Sequence, residues 1–322
     1  MENLKMIEDI KTMEDLKTIE DLKMIEAIKK LKQQKNAIIV AHYYVDDSVQ
    51  EISDCVGDSY YLSKVVLDRS EAIIVFCGVK FMGESAKILS PHKTIVMADG
   101  YADCPMAHMI CEEDILKVRA AYDDLAVVCY INSTAEIKAL SDVCVTSSNA
   151  LKIVTKLPQK NIFFIPDNNL GNYVASQCPD KNFIFHDGFC HVHTSISLEN
   201  VLKAKALHPN AKVLVHPECT MDVVALGDYV GSTAGIIDYA TQSTASHFII
   251  CTEMGILHEL KQKNPNKKFY SVAHRPFCPN MKLISLEKVY HVLDTLDNEV
   301  VLPEELRHRA KSALAAMHQM AQ

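Results

Sequence analysis

Cys104, Cys190 and Cys278 stand 86 and 88 residues apart, and each closes a loop after an apolar run: TIVMADGYADC, NFIFHDGFC and KFYSVAHRPFC. Other groups keep the same interval. His42 and Tyr44 end AIIVAHYY, Tyr130 and Asn132 lie in AVVCYINS, and His216 and Glu218 lie in KVLVHPEC, with 88 and then 86 residues between His42, Tyr130 and His216. A third series carries hydroxyls: Ser59, then Ser147 after 88 residues, then Ser232 after 85, with Thr233 beside it. One thiolate per repeat, brought to a common centre, suits a metal site with one open coordination position. Zinc with His191 or His193 as a fourth ligand and an iron–sulfur cluster lacking a fourth cysteine ligand are both compatible with that set. Imidazole, phenol and carboxylate supply proton transfer. Hydroxyls at helix starts, together with backbone N–H groups, suit a carboxylate or phosphate, and the same hydroxyls are ordinary helix caps.

The elements that must position these groups follow from the pattern between them. Beyond Lys35, short β-rich apolar runs alternate with helical segments, the signature of parallel α/β units. Three marker series agree on a period near 87 residues, which predicts three similar three-layer α/β/α domains with parallel sheets around a pseudo-threefold axis. Every marker follows a strand, so all three domains aim polar groups at one central space, where ligands of open α/β sheets bind. The expected division is a helical N-terminal extension over 1–24, α/β domains over 25–115, 116–200 and 201–285, and C-terminal helices over 286–322 packing back on the core. From Met6 to Lys30 the chain is a near-hexad repeat of Glu, Lys and Leu/Ile. Its apolar residues recur every three positions and drift around a helix, which predicts a mostly solvated extension leading into the first domain.

Composition narrows the function classes. The chain has 322 residues, 48% hydrophobic and 23% charged, the balance of a folded globular protein. A net charge of −8 gives no electrostatic footprint for nucleic acid. No apolar run approaches the roughly 20 residues of a membrane span, and no secretory signal pattern opens the chain. Eleven cysteines are present without a C-x-x-C pair, so neither a disulfide framework nor a zinc ribbon is signalled, and reduced thiols in the cytoplasm are expected. Cys55, Cys77, Cys111, Cys129, Cys144, Cys178 and Cys251 have no mutual ligand spacing and are expected to be structural. Cys219, next to Glu218, stays undecided.

The strings AHYY, GVKFMGESAKIL, DCPMA, YINSTAEIKA, VTSSNA, PDNNLG, GFCHVH, HPEC, GST and CPNMK, in this order, resemble the quinolinate synthase family of NAD biosynthesis. The resemblance runs from about residue 25 to the C-terminus, and the N-terminal repeat has no counterpart in it. It implies three pseudo-symmetric α/β domains around one 4Fe–4S cluster per chain, held by Cys104, Cys190 and Cys278, with an open iron acting as Lewis acid. It also implies condensation of iminoaspartate with dihydroxyacetone phosphate to quinolinate, with loss of phosphate and two waters. An aspartate-oxidising enzyme is the expected supplier of iminoaspartate; no nucleic acid or membrane partner is implied. Tyr44 and Glu218 are then expected to do acid/base work, with His42 and His193 also catalytic candidates. His193 and His216 would orient a substrate carboxylate or hydroxyl. His42, Ser59, Tyr130, Asn132, Ser147, His216, Glu218, Ser232 and Thr233 are the expected substrate-binding set. The alternative is another iron–sulfur hydro-lyase, or a zinc-dependent lyase, using the same three cysteines.

Overall fold

The computed structural model describes residues 19–272 and 275–322. Among the described residues, twelve strands form three four-stranded sheets. The first holds β1 (Ala37–His42), β2 (Cys55–Gly57), β3 (Ile73–Cys77) and β4 (Thr94–Met97); the second holds β5 (Leu125–Tyr130), β6 (Val143–Val145), β7 (Asn161–Ile165) and β8 (Asn182–Phe185); the third holds β9 (Lys212–Val215), β10 (Tyr229–Val230), β11 (His247–Cys251) and β12 (Lys268–Ser271). Every pairing between these strands is parallel, and the order is β2-β1-β3-β4, β6-β5-β7-β8 and β10-β9-β11-β12. Parallel neighbours need crossover connections, and the helical segments between the strands supply them. β1 and β5 are buried along their whole length, as their unbroken apolar sequences require when helices cover both faces.

The three-fold repetition extends to hydrogen-bond register. Val40 lies opposite Cys55, Val128 opposite Val143 and Leu214 opposite Tyr229, the same sequence offset each time. Ile38–Ile74, Ala126–Ile162 and Val213–Ile249 share a second offset, and Ile74–Ile95, Ile162–Phe183 and Ile249–Tyr270 a third. One aspartate per sheet helps to fix the first of these. Asp54, Asp142 and Asp228 donate their backbone N–H to Ile39, Val127 and Val213 carbonyls, and their carboxylates accept N–H bonds back from those residues at 2.9, 2.7 and 2.8 Å. This reciprocal pair occupies backbone groups that a two- or three-residue edge strand would otherwise leave open.

The third strand of each sheet lies on the far side of the first strand from the second, so connections leave the first and third strands in opposite directions. That is the topological switch point, where a crevice opens at the carboxyl ends. One apolar core runs through the first two sheets and continues into the C-terminal segment, where the helix Glu304–Met320 buries Ala310, Ala313, Leu314 and Met317 along one stripe. The third sheet has two apolar clusters of its own, and Tyr43, from the end of β1, is buried in one of them.

At the other end of the chain, residues 19–34 are helical. Ile19 and Leu22 are exposed, as expected of a solvated extension, but Ile28 is fully buried and Met24, Ile25 and Leu31 pack beside it. These four fall on one face at helical spacing, so the last turns belong to the first domain's packing. The repeat before residue 19 lies outside the described residues. No helix among the described residues is long and apolar enough to cross a membrane.

Candidate active site

A central cavity is lined from all three sheets, as small-molecule sites between packed units are. Cys104, Cys190 and Cys278 line it, with His42, Tyr44, Ser59, Tyr130, Asn132, Ser147, His193, His216, Glu218 and Thr233. Of the residues expected from the sequence, Ser232 alone is not on that wall. Its Oγ accepts the Gly235 N–H at 3.1 Å and caps the helix Thr233–Gln242. Thr233 and Ser59 each open a ten-residue helix at the cavity and bring its N-terminal N–H groups there.

A chain of short contacts crosses the cavity wall. The Tyr44 hydroxyl lies 2.8 Å from Thr233 Oγ1 and 3.0 Å from Thr252 Oγ1. Thr252 Oγ1 lies 2.9 Å from His193 Nε2. On its other side, His193 Nδ1 lies 2.9 Å from Glu218 Oε2 and 3.2 Å from Cys190 Sγ, and His216 Nδ1 approaches the same carboxylate oxygen at 3.2 Å. The His193 and His216 rings stack at 4.4 Å between centroids. Glu218 Oε1 and Asn132 Oδ1 are buried without a hydrogen-bond partner among the described residues, and both residues line the cavity. An unmet acceptor in such a place is a demand for a ligand donor.

Burial sets the ionisation of these groups. It pushes Tyr44 well above the ordinary phenol range, an effect its two threonine contacts only moderate, so the phenol keeps its proton and can act as an acid. Burial, then repulsion from His216, lowers His42 to about 3, leaving the imidazole neutral. The Tyr44 backbone N–H donates to His42 Nδ1 at 3.2 Å, which places the remaining ring proton on Nε2. For Glu218, burial alone would raise the pKa, but the charge and hydrogen bond of His193, with those of His216, more than reverse it and hold the carboxylate ionised.

The thiols behave as a set. Burial pushes Cys104 up to about 12, with Cys278 among the neighbours adding to it. Cys190 is also pushed well up, by burial and then the Glu218 charge, and Cys278 rises too. Among the described lining residues are three thiols and the carboxyl side chains of Asp58, Glu218 and Glu253, but no lysine or arginine. A bound metal would supply the missing positive charge and hold the thiols as thiolates. Cys190, His193 and Glu218 also offer ligand atoms within 4.8 Å of one another.

Three residues of the site carry no mark that the sequence pattern alone singles out. Thr252 joins Tyr44 to His193, and the buried carboxyls Asp167 and Glu253 accept the backbone N–H of Cys190 at 3.1 Å and of Cys278 at 3.0 Å. Burial raises both carboxyls, Glu253 to about 7. The one signal for the two acids is the repeat itself: Asp167 and Glu253 each stand two residues beyond the third strand of their sheet, 86 apart, but the first domain has Val79 there. Among the other cysteines, Cys77, Cys129, Cys144, Cys178 and Cys251 are buried, as is Cys219, which packs in a third-domain core cluster. Cys111 departs from a core role: it is exposed at the start of the helix Glu112–Ala121, with its Sγ 3.1 Å from Asp114.

Comparison with known proteins places this arrangement. A family model described as quinolinate synthetase A protein matches residues 26–319. The quinolinate synthase of Clostridioides difficile (strain 630) is 53% identical over 293 residues, covering 91% of this chain and 96% of that relative. That of Caldicellulosiruptor saccharolyticus is 54% identical over 288 residues (89% and 95%), and that of Fusobacterium nucleatum is 51% identical over 292 residues (91% and 97%).

Proposed function

The chain belongs to the quinolinate synthetase A family, and from that premise we propose that it condenses iminoaspartate with dihydroxyacetone phosphate to quinolinate, releasing phosphate and two waters. The observation that carries the reading is the cavity wall, with three thiols from three domains beside a proton-transfer chain and no lysine or arginine among its described lining residues. Cys104, Cys190 and Cys278 would hold a 4Fe–4S cluster, one per chain, and their burial-raised pKa values fit a site completed by a cationic group. When bound, the cluster supplies a Lewis acid at an iron without a protein ligand, favouring loss of water from a substrate carbon.

The remaining steps fall to the chain's own residues. Helix N-termini at Ser59 and Thr233, with Ser147 and Asn132, bind the substrate's carboxylates and phosphate without a basic surface patch. Tyr44 gives a proton to a developing alkoxide or leaving hydroxyl, and Thr252 and His193 replenish it from the side of Glu218. Glu218 takes protons through Oε1, which has no partner among the described residues, while His216 and His193 hold the other oxygen in place. Neutral His42 offers Nε2–H to a substrate oxygen, and Tyr130 closes the pocket. Condensation, isomerisation and dehydration balance without electron transfer, so no oxidant enters. Iminoaspartate would come from an aspartate-oxidising enzyme, and the thiols call for a reducing cytoplasm.

The test is quinolinate formation from the two substrates by anaerobically purified protein, with iron, sulfide and zinc measured on the same sample. Cys190→Ala should lose both the cluster and product formation; product at the wild-type rate would refute its role as ligand. The zinc-dependent lyase is favoured by one observation, the grouping of Cys190, His193 and Glu218. Stoichiometric zinc with no iron in a colourless protein would decide for it.

A further inference from the structure

We propose that Asp167 and Glu253 are positioning residues that fix the loops carrying Cys190 and Cys278, a role that rests on the metal-centre reading above. All three domains share one backbone tie. The N–H of Lys80, Asn168 and Met254 donates to the carbonyl two residues before the cysteine, namely Ala102, Gly188 and Pro276, at 2.8, 2.8 and 2.9 Å. The residue preceding each donor is Val79, Asp167 or Glu253. In the second and third domains this residue adds a carboxylate to the tie. Asp167 Oδ2 accepts from Cys190 N at 3.1 Å while Oδ1 accepts from Leu170 N at 2.7 Å. Glu253 Oε1 accepts from Cys278 N at 3.0 Å while Oε2 accepts from Gly255 N at 2.6 Å.

Both carboxylates are fully buried, and in each both oxygens are committed to backbone N–H groups. One oxygen holds the start of the segment after the third strand, and the other holds the cysteine. The pair therefore adds a second link, at the cysteine itself, between a rigid sheet and a loop that the shared backbone tie holds only two residues earlier. The second-domain loop is pressed close enough that a Cβ on Gly188 would meet the Pro166 carbonyl oxygen at 2.5 Å. In the first domain the Val79 side chain cannot accept a bond, and the Cys104 N–H is taken locally by its neighbour Asp103 at 2.7 Å. Two ligand loops are thus tied to their sheets by a buried carboxylate and one is not.

Asp167→Asn and Glu253→Gln separate this role from general stability, because an amide accepts at one oxygen only and presents NH₂ to the second N–H. In metal-free full-length protein, peptide-level hydrogen exchange over 186–194 should accelerate about tenfold in Asp167→Asn alone, and over 275–283 in Glu253→Gln alone, the effect of losing one buried hydrogen bond. Far-UV circular dichroism should match the wild type. In iron-loaded protein each variant should surrender iron to a chelator about tenfold faster, and the double variant faster still. If the amide variants do not fold, Asp167→Glu and Glu253→Asp, which keep a carboxylate but not its reach, take their place with the same expectations. Wild-type exchange over both peptides in folded variants would overturn the proposal. Wild-type protein that takes up no iron would overturn the cluster reading instead, with the exchange experiment still deciding the tie.

Discussion

Thr252→Val is the sharpest probe of the proposed proton-transfer chain. Thr252 is 1% exposed and its hydroxyl stands between Tyr44 at 3.0 Å and His193 Nε2 at 2.9 Å. Valine keeps the shape and removes the oxygen. Tyr44 retains Thr233 at 2.8 Å, so its loss is one neutral hydrogen bond of about 1 kcal/mol. His193 Nε2 is left facing two methyl groups in a ring that is 1% exposed, and stranding such a group costs about 1–3 kcal/mol. The expected loss of stability is therefore about 2–4 kcal/mol, read by urea unfolding of the reduced, metal-free protein. In anaerobic turnover the break between Tyr44 and His193 should lower kcat about tenfold to a hundredfold, with KM changed less, because the link serves proton transfer more than substrate binding. Thr252→Ser restores the hydroxyl and should recover kcat to within about threefold of wild type. The reasoning fails if valine matches wild type in kcat and stability, or if serine performs no better than valine.

Three further outcomes follow from the same geometry. His42 is lowered from 6.5 to about 3 in the folded chain, so between these values the unfolded state binds a proton that the native state refuses. Its contribution to stability is complete above pH 6.5 and falls by about 1.4 kcal/mol per pH unit below it, about 2 kcal/mol by pH 5. His42→Gln should show a flatter decline in urea unfolding between pH 7 and 5, and parallel curves would count against burial as the cause. Gly255→Ala should slow turnover and cost about 1–3 kcal/mol in stability, because its Cβ would meet the Tyr43 carbonyl oxygen at 2.6 Å and Tyr44 Cα at 2.8 Å, both backbone atoms; a wild-type melting curve and rate would refute it. Asp142→Ala, just before β6 and away from the cavity, should lower stability by about 1–2 kcal/mol and leave kcat unchanged, and a large change in kcat would disprove that separation.

What is legible in the sequence is whatever occurs once in each domain. The cysteine loops, the strand ends at His42, Tyr130 and His216, and the hydroxyl turns at Ser59, Ser147 and Ser232 align at one period from residue type and spacing alone. Asp54, Asp142 and Asp228 keep the same period but sit where β2, β6 and β10 begin, away from the strand ends that carry chemistry, so nothing near them marks their role. Asp167 and Glu253 are hidden by Val79, since only two copies carry the acid. Thr252 has no local signal. Its meaning comes from Tyr44, 208 residues away in the chain, and from His193, which folding alone brings beside it. The docking of residues 24–31 is masked by the three-residue rhythm of the repeat, in which apolar residues on the buried face and on the exposed face look alike.

The Tyr44 phenol comes from the first sheet, but both of its hydroxyl partners belong to the third, 189 and 208 residues further along. A growing chain therefore carries this acid for most of its synthesis without the groups that connect it to His193. Nor can the first two sheets alone, although they share one apolar core, supply Cys278, Glu218 or Thr252. Partially made, nicked or half-unfolded molecules hold pieces of the catalytic apparatus but no working subset of it. On the proposed mechanism turnover requires the third sheet in place beside the first, and loss of activity on unfolding should be abrupt and complete.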